Sequence, residues 1–272
     1  MAISTINGIV NGLGNAAQVL QINKATINSQ SAGGFSALWR AAGTPGQGAI
    51  PGAAEICTGA LPGAMGFVAP AGGIASYLAL ADAMSSISVT DLYVYDRLAH
   101  MGGLSGTVIT AQTAAVDVSG TLSNMALRRG AADYSKVEWW LEWYITTGAT
   151  AVTATVTYTN AAGTTGRTTT VSLAASVADS RRRPITGANG EFIQSVQSVT
   201  LSASTLTAGS FGVTATRRLT AIALPLANMA QTYDWQMLGF PKVEDSACLE
   251  LMVIPNTTAT GVNYGTIKLI QG

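Results

Sequence analysis

A mainly β fold, an antiparallel β-sandwich of jelly-roll-like kind preceded by a long, mostly irregular N-terminal arm, is what this chain of 272 residues predicts. Three observations lead there. From residue 89 onward, apolar and polar residues alternate with period two in one short stretch after another. Gly and Pro punctuate those stretches, at Pro184, Gly187, Gly190, Gly209, Pro225, Gly239, Pro241 and Pro255 among others. No amphipathic segment of helical length separates one stretch from the next, which excludes the α/β classes.

Residues 1–88 differ from the rest. They carry four charges, Lys24, Arg40, Glu55 and Asp82, and are rich in Gly, Ala and Pro. Short helices are expected at residues 16–21 and 75–83, while Gly8, Gly12 and Gly14 weaken any longer one. Turn-forming strings fill much of the remainder, from Thr44-Pro45-Gly46 through Ile50-Pro51-Gly52 and again at Leu61-Pro62-Gly63. Such a segment reads as an extended arm lying on its own domain or on a neighbouring chain. Deleting residues 1–34 is then expected to leave the β domain, residues 89–272, folded.

The strands follow in order. One opens with Leu92 and Val94 and runs into Asp96-Arg97-Leu98. The clearest spans residues 136–145, with Val137, Trp139, Leu141, Trp143 and Ile145 on one face. Its other face is mixed, with Glu138, Trp140, Glu142 and Tyr144, and reads as a surface that packs under the arm or a second subunit. Residues 149–159 and 167–174 form a hairpin pair in which Thr fills the alternate face, a residue that suits a strand while its hydroxyl tolerates water. Further strands are expected at 192–202, 210–221, 248–254 and 265–270.

Charge bounds the function classes. Only 10% of the residues are charged and the formal net charge is zero, which argues against a dedicated nucleic-acid binder. Residues 60–81 carry no charge, but their prolines and glycines make a poor membrane span. The first basic residue is Lys24, so no secretory signal is expected. Cys57 and Cys248 are far apart in sequence and read as two buried thiols, with a bridge as the lesser alternative.

Chemistry finds few footholds. His100 is the single histidine; Asp96 and Ser105 flank it, but no nucleophile elbow surrounds Ser105. Glu138 and Glu142 share a strand face about 13 Å apart, beyond the roughly 5 to 9.5 Å that glycoside hydrolysis requires of its carboxyl pair. One His and two remote Cys make no zinc shell, and neither a calcium loop nor a phosphate loop is present. The expectation is no catalytic residue, no metal site and no cofactor. Arg128-Arg129, Arg181-Arg182-Arg183 and Arg217-Arg218 concentrate the basic charge and suit ion pairing across a subunit boundary, with Asp133, Asp179 and Glu191 as candidate acids.

Several stretches taken together resemble virion structural proteins of tailed bacteriophages: Tyr95-Asp96-Arg97-Leu98-Ala99-His100-Met101, Trp139-Trp140-Leu141-Glu142-Trp143-Tyr144, Ser195-Val196-Gln197-Ser198-Val199, Ala208-Gly209-Ser210-Phe211 and Asp245-Ser246-Ala247-Cys248-Leu249-Glu250-Leu251, with Leu38-Trp39-Arg40-Ala41 and Pro70-Ala71-Gly72-Gly73-Ile74 in the arm. The resemblance implies a non-enzymatic head decoration or cement protein that bridges shell subunits. Its partner would be a major capsid protein, its state a homotrimer and its place the head surface of a virion made in a bacterial cytoplasm. It implies neither sequence-specific nucleic-acid binding nor membrane contact. Interface candidates on this reading are Trp39, Arg40, Trp140, Arg181, Arg182, Arg183, Arg217 and Arg218. A tail-tube or baseplate component is the nearest alternative. A carbohydrate-binding sandwich, anchored on Trp140, Tyr144 and Glu138, is the third.

Overall fold

The computed structural model describes residues 3–15, 17–26, 31–71, 74–87 and 89–272. In chain order its strands are β1 (Gln18–Ala25), β2 (Phe35–Ala37), β3 (Gly43–Thr44), β4 (Glu55–Ile56), β5 (Ser76–Ser85), β6 (Val89–Leu104), β7 (Gln112–Asp117), β8 (Val137–Ile145), β9 (Val152–Asn160), β10 (Arg167–Leu173), β11 (Arg181–Ile185), β12 (Ile193–Leu201), β13 (Ser210–Ala223), β14 (Gln231–Asp234), β15 (Lys242–Val243), β16 (Leu249–Pro255) and β17 (Val262–Gln271). The α-helices are short: α1 (Ile6–Asn15), α2 (Met125–Arg128) and α3 (Trp235–Leu238). The fold is mainly β, antiparallel and consistent with the jelly-roll-like sandwich that the period-two pattern predicts.

At the centre, six strands close on themselves. Going round, β13 pairs β8, β8 pairs β11, β11 pairs β2, β2 pairs β16, β16 pairs β6, and β6 returns to β13. Closure depends on β6 and β13, which are 16 and 14 residues long, far beyond an ordinary strand. Their pairing shifts register three times, between Phe211/Val213, Ala215/Thr216 and Arg218/Thr220. Each irregularity adds local twist and bends the ribbon, which helps a sheet to meet its own edge.

Two further sheets flank this barrel. One, ordered β10-β9-β12-β7, buries Ala154, Val156 and Tyr158 of the Thr-rich hairpin against Trp139, Leu141 and Trp143 of β8 and Val213 and Ala215 of β13. The other, ordered β14-β5-β17-β1-β3 with β15 also on β5, buries Leu20, Ile22, Ala81, Ile267 and Leu269 against Leu92 and Val94 of β6 and Leu249, Leu251 and Val253 of β16. The outward side chains of the barrel strands thus build the two cores. Their inward side chains are left to fill the barrel.

The helices expected at residues 16–21 and 75–83 are strands. Ala16 itself lies outside the described residues and Ala17 and Ala75 are irregular, but β1 covers residues 18–21 and β5 residues 76–83. Ala-rich sequence such as Leu78-Ala79-Leu80-Ala81 favours a helix locally, yet propensity is a weak prior that packing overrides. Here β5 is paired on one edge by β17 and on the other by β14 and β15, and β1 lies between β17 and β3. Residues 1–88 thus supply α1 and β1–β5, joined by long irregular connections; Ser88, at the expected boundary, lies outside the described residues.

Candidate functional site: a charged network inside the barrel

Five barrel strands each place a polar group in the interior. Arg97 comes from β6, Glu142 and Tyr144 from β8, Arg182 from β11, Thr214 from β13 and Glu250 from β16. Pairing aligns them: Arg182 lies opposite Glu142 in the β11–β8 register, and Gly212 and Thr214 lie opposite Glu142 and Trp140. Arg97 reaches Glu142 and Glu250, each at 2.9 Å, and Arg182 reaches the same two carboxylates at 3.0 and 2.8 Å. Thr214 Oγ1 donates to Glu142 at 2.5 Å, and Arg97 donates to the Tyr144 hydroxyl at 2.8 Å. All four charged side chains are at most 1% exposed.

The electrostatics follow from that enclosure. Burial alone would push the Glu142 carboxyl up, but Arg182 and Arg97 beside it hold it at about 2. Burial would lower the Arg97 guanidinium; Glu142, Tyr144 and Glu250 more than reverse it and raise it well above its ordinary range. Two cations and two anions cancel, so the barrel holds four charges and no net charge. Aromatic plugs close the ends of the network. Phe35, Tyr95, Trp140 and Met252 pack on one side; Trp39, Tyr144, Cys57 and Cys248 pack on the other, with the Arg97 guanidinium 4.5 Å from the centre of the Trp39 ring.

His100 connects the network to the surface. Arg97 Nε donates to His100 Nδ1 at 2.7 Å, so Nδ1 is the acceptor and the ring proton belongs on Nε2. Nε2 in turn lies 2.7 Å from Glu55 Oε1, whose side chain is 47% exposed. Burial and then the neighbouring Arg97 cation push the imidazole down to about 2. A neutral histidine fixed between a guanidinium and a carboxylate is a structural linker. The residues flanking it in sequence go elsewhere: Asp96 takes two hydrogen bonds from Arg128, at 2.6 and 3.0 Å, and Ser105 bonds Thr107. Ser105, His100 and Asp96 therefore form no triad.

The interface candidates divide into two groups. Trp39, Trp140 and Arg182 are at most 3% exposed and belong to the barrel interior, so their assignment to a subunit surface is corrected. Trp39 Nε1 donates to the Ala49 carbonyl and Trp140 Nε1 to the Thr216 hydroxyl. Arg40, Arg181, Arg183 and Arg217 are partly exposed and Arg218 is exposed. Arg40 donates to the Gly48 carbonyl, Arg217 to the Lys242 carbonyl, and Arg218 lies 3.8 Å from Glu138. Of the acids proposed to meet arginines, Glu191 is taken by Arg167 at 2.8 Å. Period two explains why one run of three arginines is split: Arg182 points inward and its neighbours outward.

The carbohydrate alternative loses its platform, because Trp140 and Tyr144 are both 3% exposed and packed inside the barrel. Beside the barrel end a groove of about 340 Å³ is lined by Val137, Glu138, Trp139, Pro184, Glu191 and Phe192. Its two acids are already engaged, Glu138 by the Tyr95 hydroxyl and Glu191 by Arg167 and Tyr158. Among the described residues no group of three or more His, Cys, Asp or Glu is placed to hold a metal ion. No described helix is long and apolar enough to cross a membrane.

Sequence reasoning overlooked the network, although a signal was present. Glu250 sits in the run Cys248-Leu249-Glu250-Leu251-Met252-Val253, where a lone carboxylate among apolar residues requires a buried cation.

No protein-family model matches this chain, and no curated protein matches it. Among solved structures it is similar to a D431N mutant of the VP2 protein of infectious bursal disease virus in derived T=1 particles, at 11% identity over 94% of this chain and 77% of that one, with a TM-score of 0.20. It is also similar to the VP2 subviral particle of the same virus, at 10% identity over 93% and 80% of the two chains and a TM-score of 0.20. These are not tailed-phage proteins. The expectation of a tailed-bacteriophage virion protein bound to a separate major capsid protein is withdrawn, since the similar structures are of the VP2 protein of infectious bursal disease virus.

Proposed function

We propose that this chain is a non-enzymatic structural subunit of a viral particle that makes its contacts with further copies of itself. One observation carries the reading. Eight of the 28 charged residues are buried, the four of the barrel network among them, while large apolar side chains are displayed on tied-down loops. Gly106 N donates to Ala208 O, Thr205 N donates to Gly106 O, and Gly148 N donates to Thr205 Oγ1, which laces three connections together at the end of β8. From that end Val108, Ile109, Ile145 and Leu206 project, with exposures of 39, 57, 51 and 75%. Leu206 is held at a φ of 76°, a left-handed conformation that is costly for a leucine. A rigid edge that presents apolar residues suits a desolvated contact.

Bridging between shell subunits is, on this reading, contact between like chains, with Arg40, Arg181, Arg183, Arg217 and Arg218 at its polar rim. The test is assembly of the purified full chain, followed by light scattering and negative-stain electron microscopy. Discrete closed particles or rings are expected, and Leu206→Asp with Ile109→Asp should dissolve them. A chain that stays monomeric at every concentration and ionic strength overturns the proposal.

A further inference from the structure

Cys57 and Cys248 meet at a break in one barrel edge. β4 and β16 both pair antiparallel with β6, β16 opposite residues up to Asp96 and β4 opposite Ala99 and His100. Cys57 directly follows the end of β4, and Cys248 directly precedes the start of β16. Cys57 N donates to the Leu98 carbonyl, and Arg97 N donates to the Cys248 carbonyl. Two segments from opposite ends of the chain therefore abut at consecutive residues of β6, each ending in a cysteine. A second clamp holds them there: Arg128 donates to the Cys57 carbonyl at 2.7 Å and to Asp96, whose Oδ1 accepts from Cys248 N at 2.9 Å. Both cysteines are free and 0% exposed, and they pack in one cluster with Trp39 and Tyr144.

We infer that Cys57 and Cys248 are a built cross-link site, which a disulfide oxidant converts into a bond joining the β4 segment to β16. The exchange balances on two protein thiols and one small-molecule disulfide such as oxidised glutathione. The Cys57 thiolate attacks one sulfur of the oxidant and expels the first glutathione thiolate. The Cys248 thiolate then attacks the Cys57 sulfur and expels the second. Two protein thiols are oxidised, one glutathione disulfide is reduced to two glutathiones, and the two protons lost by the protein reside on them. Cys57 is the first nucleophile because an irregular connection follows it, whereas Cys248 is bound into the start of a barrel strand. The bond would seal the gap in the β6 edge beside Arg97 and tie the first quarter of the chain to the last.

The test uses the native full-length protein, incubated with oxidised glutathione, then denatured without reductant and treated with an alkylating reagent. Intact mass should fall by two hydrogen atoms per chain, with no alkylation. Proteolysis should yield the Cys57 and Cys248 peptides joined, and the oxidised monomer should melt several degrees above the reduced one. Cys248→Ser should stop at a glutathione adduct on Cys57. Should that variant fail to fold, the wild-type mass and peptide map still decide. Two alkylated thiols after an oxidation that converts a control dithiol peptide, or cross-links only between chains, overturn the inference.

Discussion

Arg97 and Arg182 stand inside the same barrel and divide the same two carboxylates, Glu142 and Glu250, between them, with all four contacts between 2.8 and 3.0 Å. Neither guanidinium has bulk water to fall back on. Buried ion pairs of this kind are weak evidence for stability as a set, because desolvation offsets the attraction. Losing one member is another matter. Arg182→Ala is expected to destabilise the chain by about 3–5 kcal/mol in urea unfolding, since it leaves two carboxylates facing one guanidinium. Arg218→Ala, which removes a half-exposed side chain 3.8 Å from Glu138, should cost about 0–1 kcal/mol. Equal effects would remove the distinction between interior and rim arginines.

Acid should unfold the protein in two windows. His100 is held at about 2, below its ordinary 6.5, so the unfolded chain takes up its proton first. Its contribution is full above pH 6.5 and declines as pH falls from there. Glu142 is likewise held at about 2 against 4.5, so its contribution is full above pH 4.5 and is lost as pH falls toward 2. Unfolding midpoints in denaturant, measured from pH 8 to 3, should show a slope between pH 6.5 and 4.5 that His100→Gln reduces, and a steeper slope below pH 4.5. A flat profile down to pH 4.5 in the parent protein contradicts the assignment of a buried neutral His100.

The seam between β6 and β13 tolerates no side chain at Gly212. A Cβ there would overlap the Met101 carbonyl oxygen and crowd the Gly102 Cα. Gly212→Ala is expected to cost about 1–3 kcal/mol or more, as overpacking does. Gly46→Ala, where nothing lies within 4 Å of the new carbon, should be near neutral. Thermal melts of the two variants side by side check this.

Residues 1–34 contain β1, whose Leu20 and Ile22 are 7% and 3% exposed in the core between its sheet and the barrel. Deleting them opens β17 along its length and strands that core. The truncated chain is expected to lose cooperative unfolding by circular dichroism. A truncated protein that melts like the parent would show that residues 35–272 fold without β1, the outcome the charge-poor sequence suggests.

Much of the architecture was legible from local pattern. Residues 136–145 alternate so strictly that β8 follows within a residue at either end, and the Thr-rich hairpin appears as β9 and β10. Period two is a property of the strand itself, so it survives whatever the strand packs against. Alternation does not say what lies opposite each face. Glu138, Trp140, Glu142 and Tyr144 read as a surface because two of the four are acids. Closure of the barrel turned that face inward, and Arg97 and Arg182 arrived from strands 45 and 40 residues away to neutralise Glu142. The same limit governs Arg181-Arg182-Arg183: alternation required one parity to differ from the other, but only the pairing of Arg182 with Glu142 decided which pointed in. For β1 and β5 local preference pointed the wrong way, because Ala-rich segments are good helices until neighbouring strands bond their edges. Residue pattern alone specified an antiparallel β protein poor in surface charge. That Arg97, Glu142, Arg182 and Glu250 are buried together came from long-range packing, since a strand's register and its far neighbours are set by the energy of the whole packed sheet and not by the residues within it.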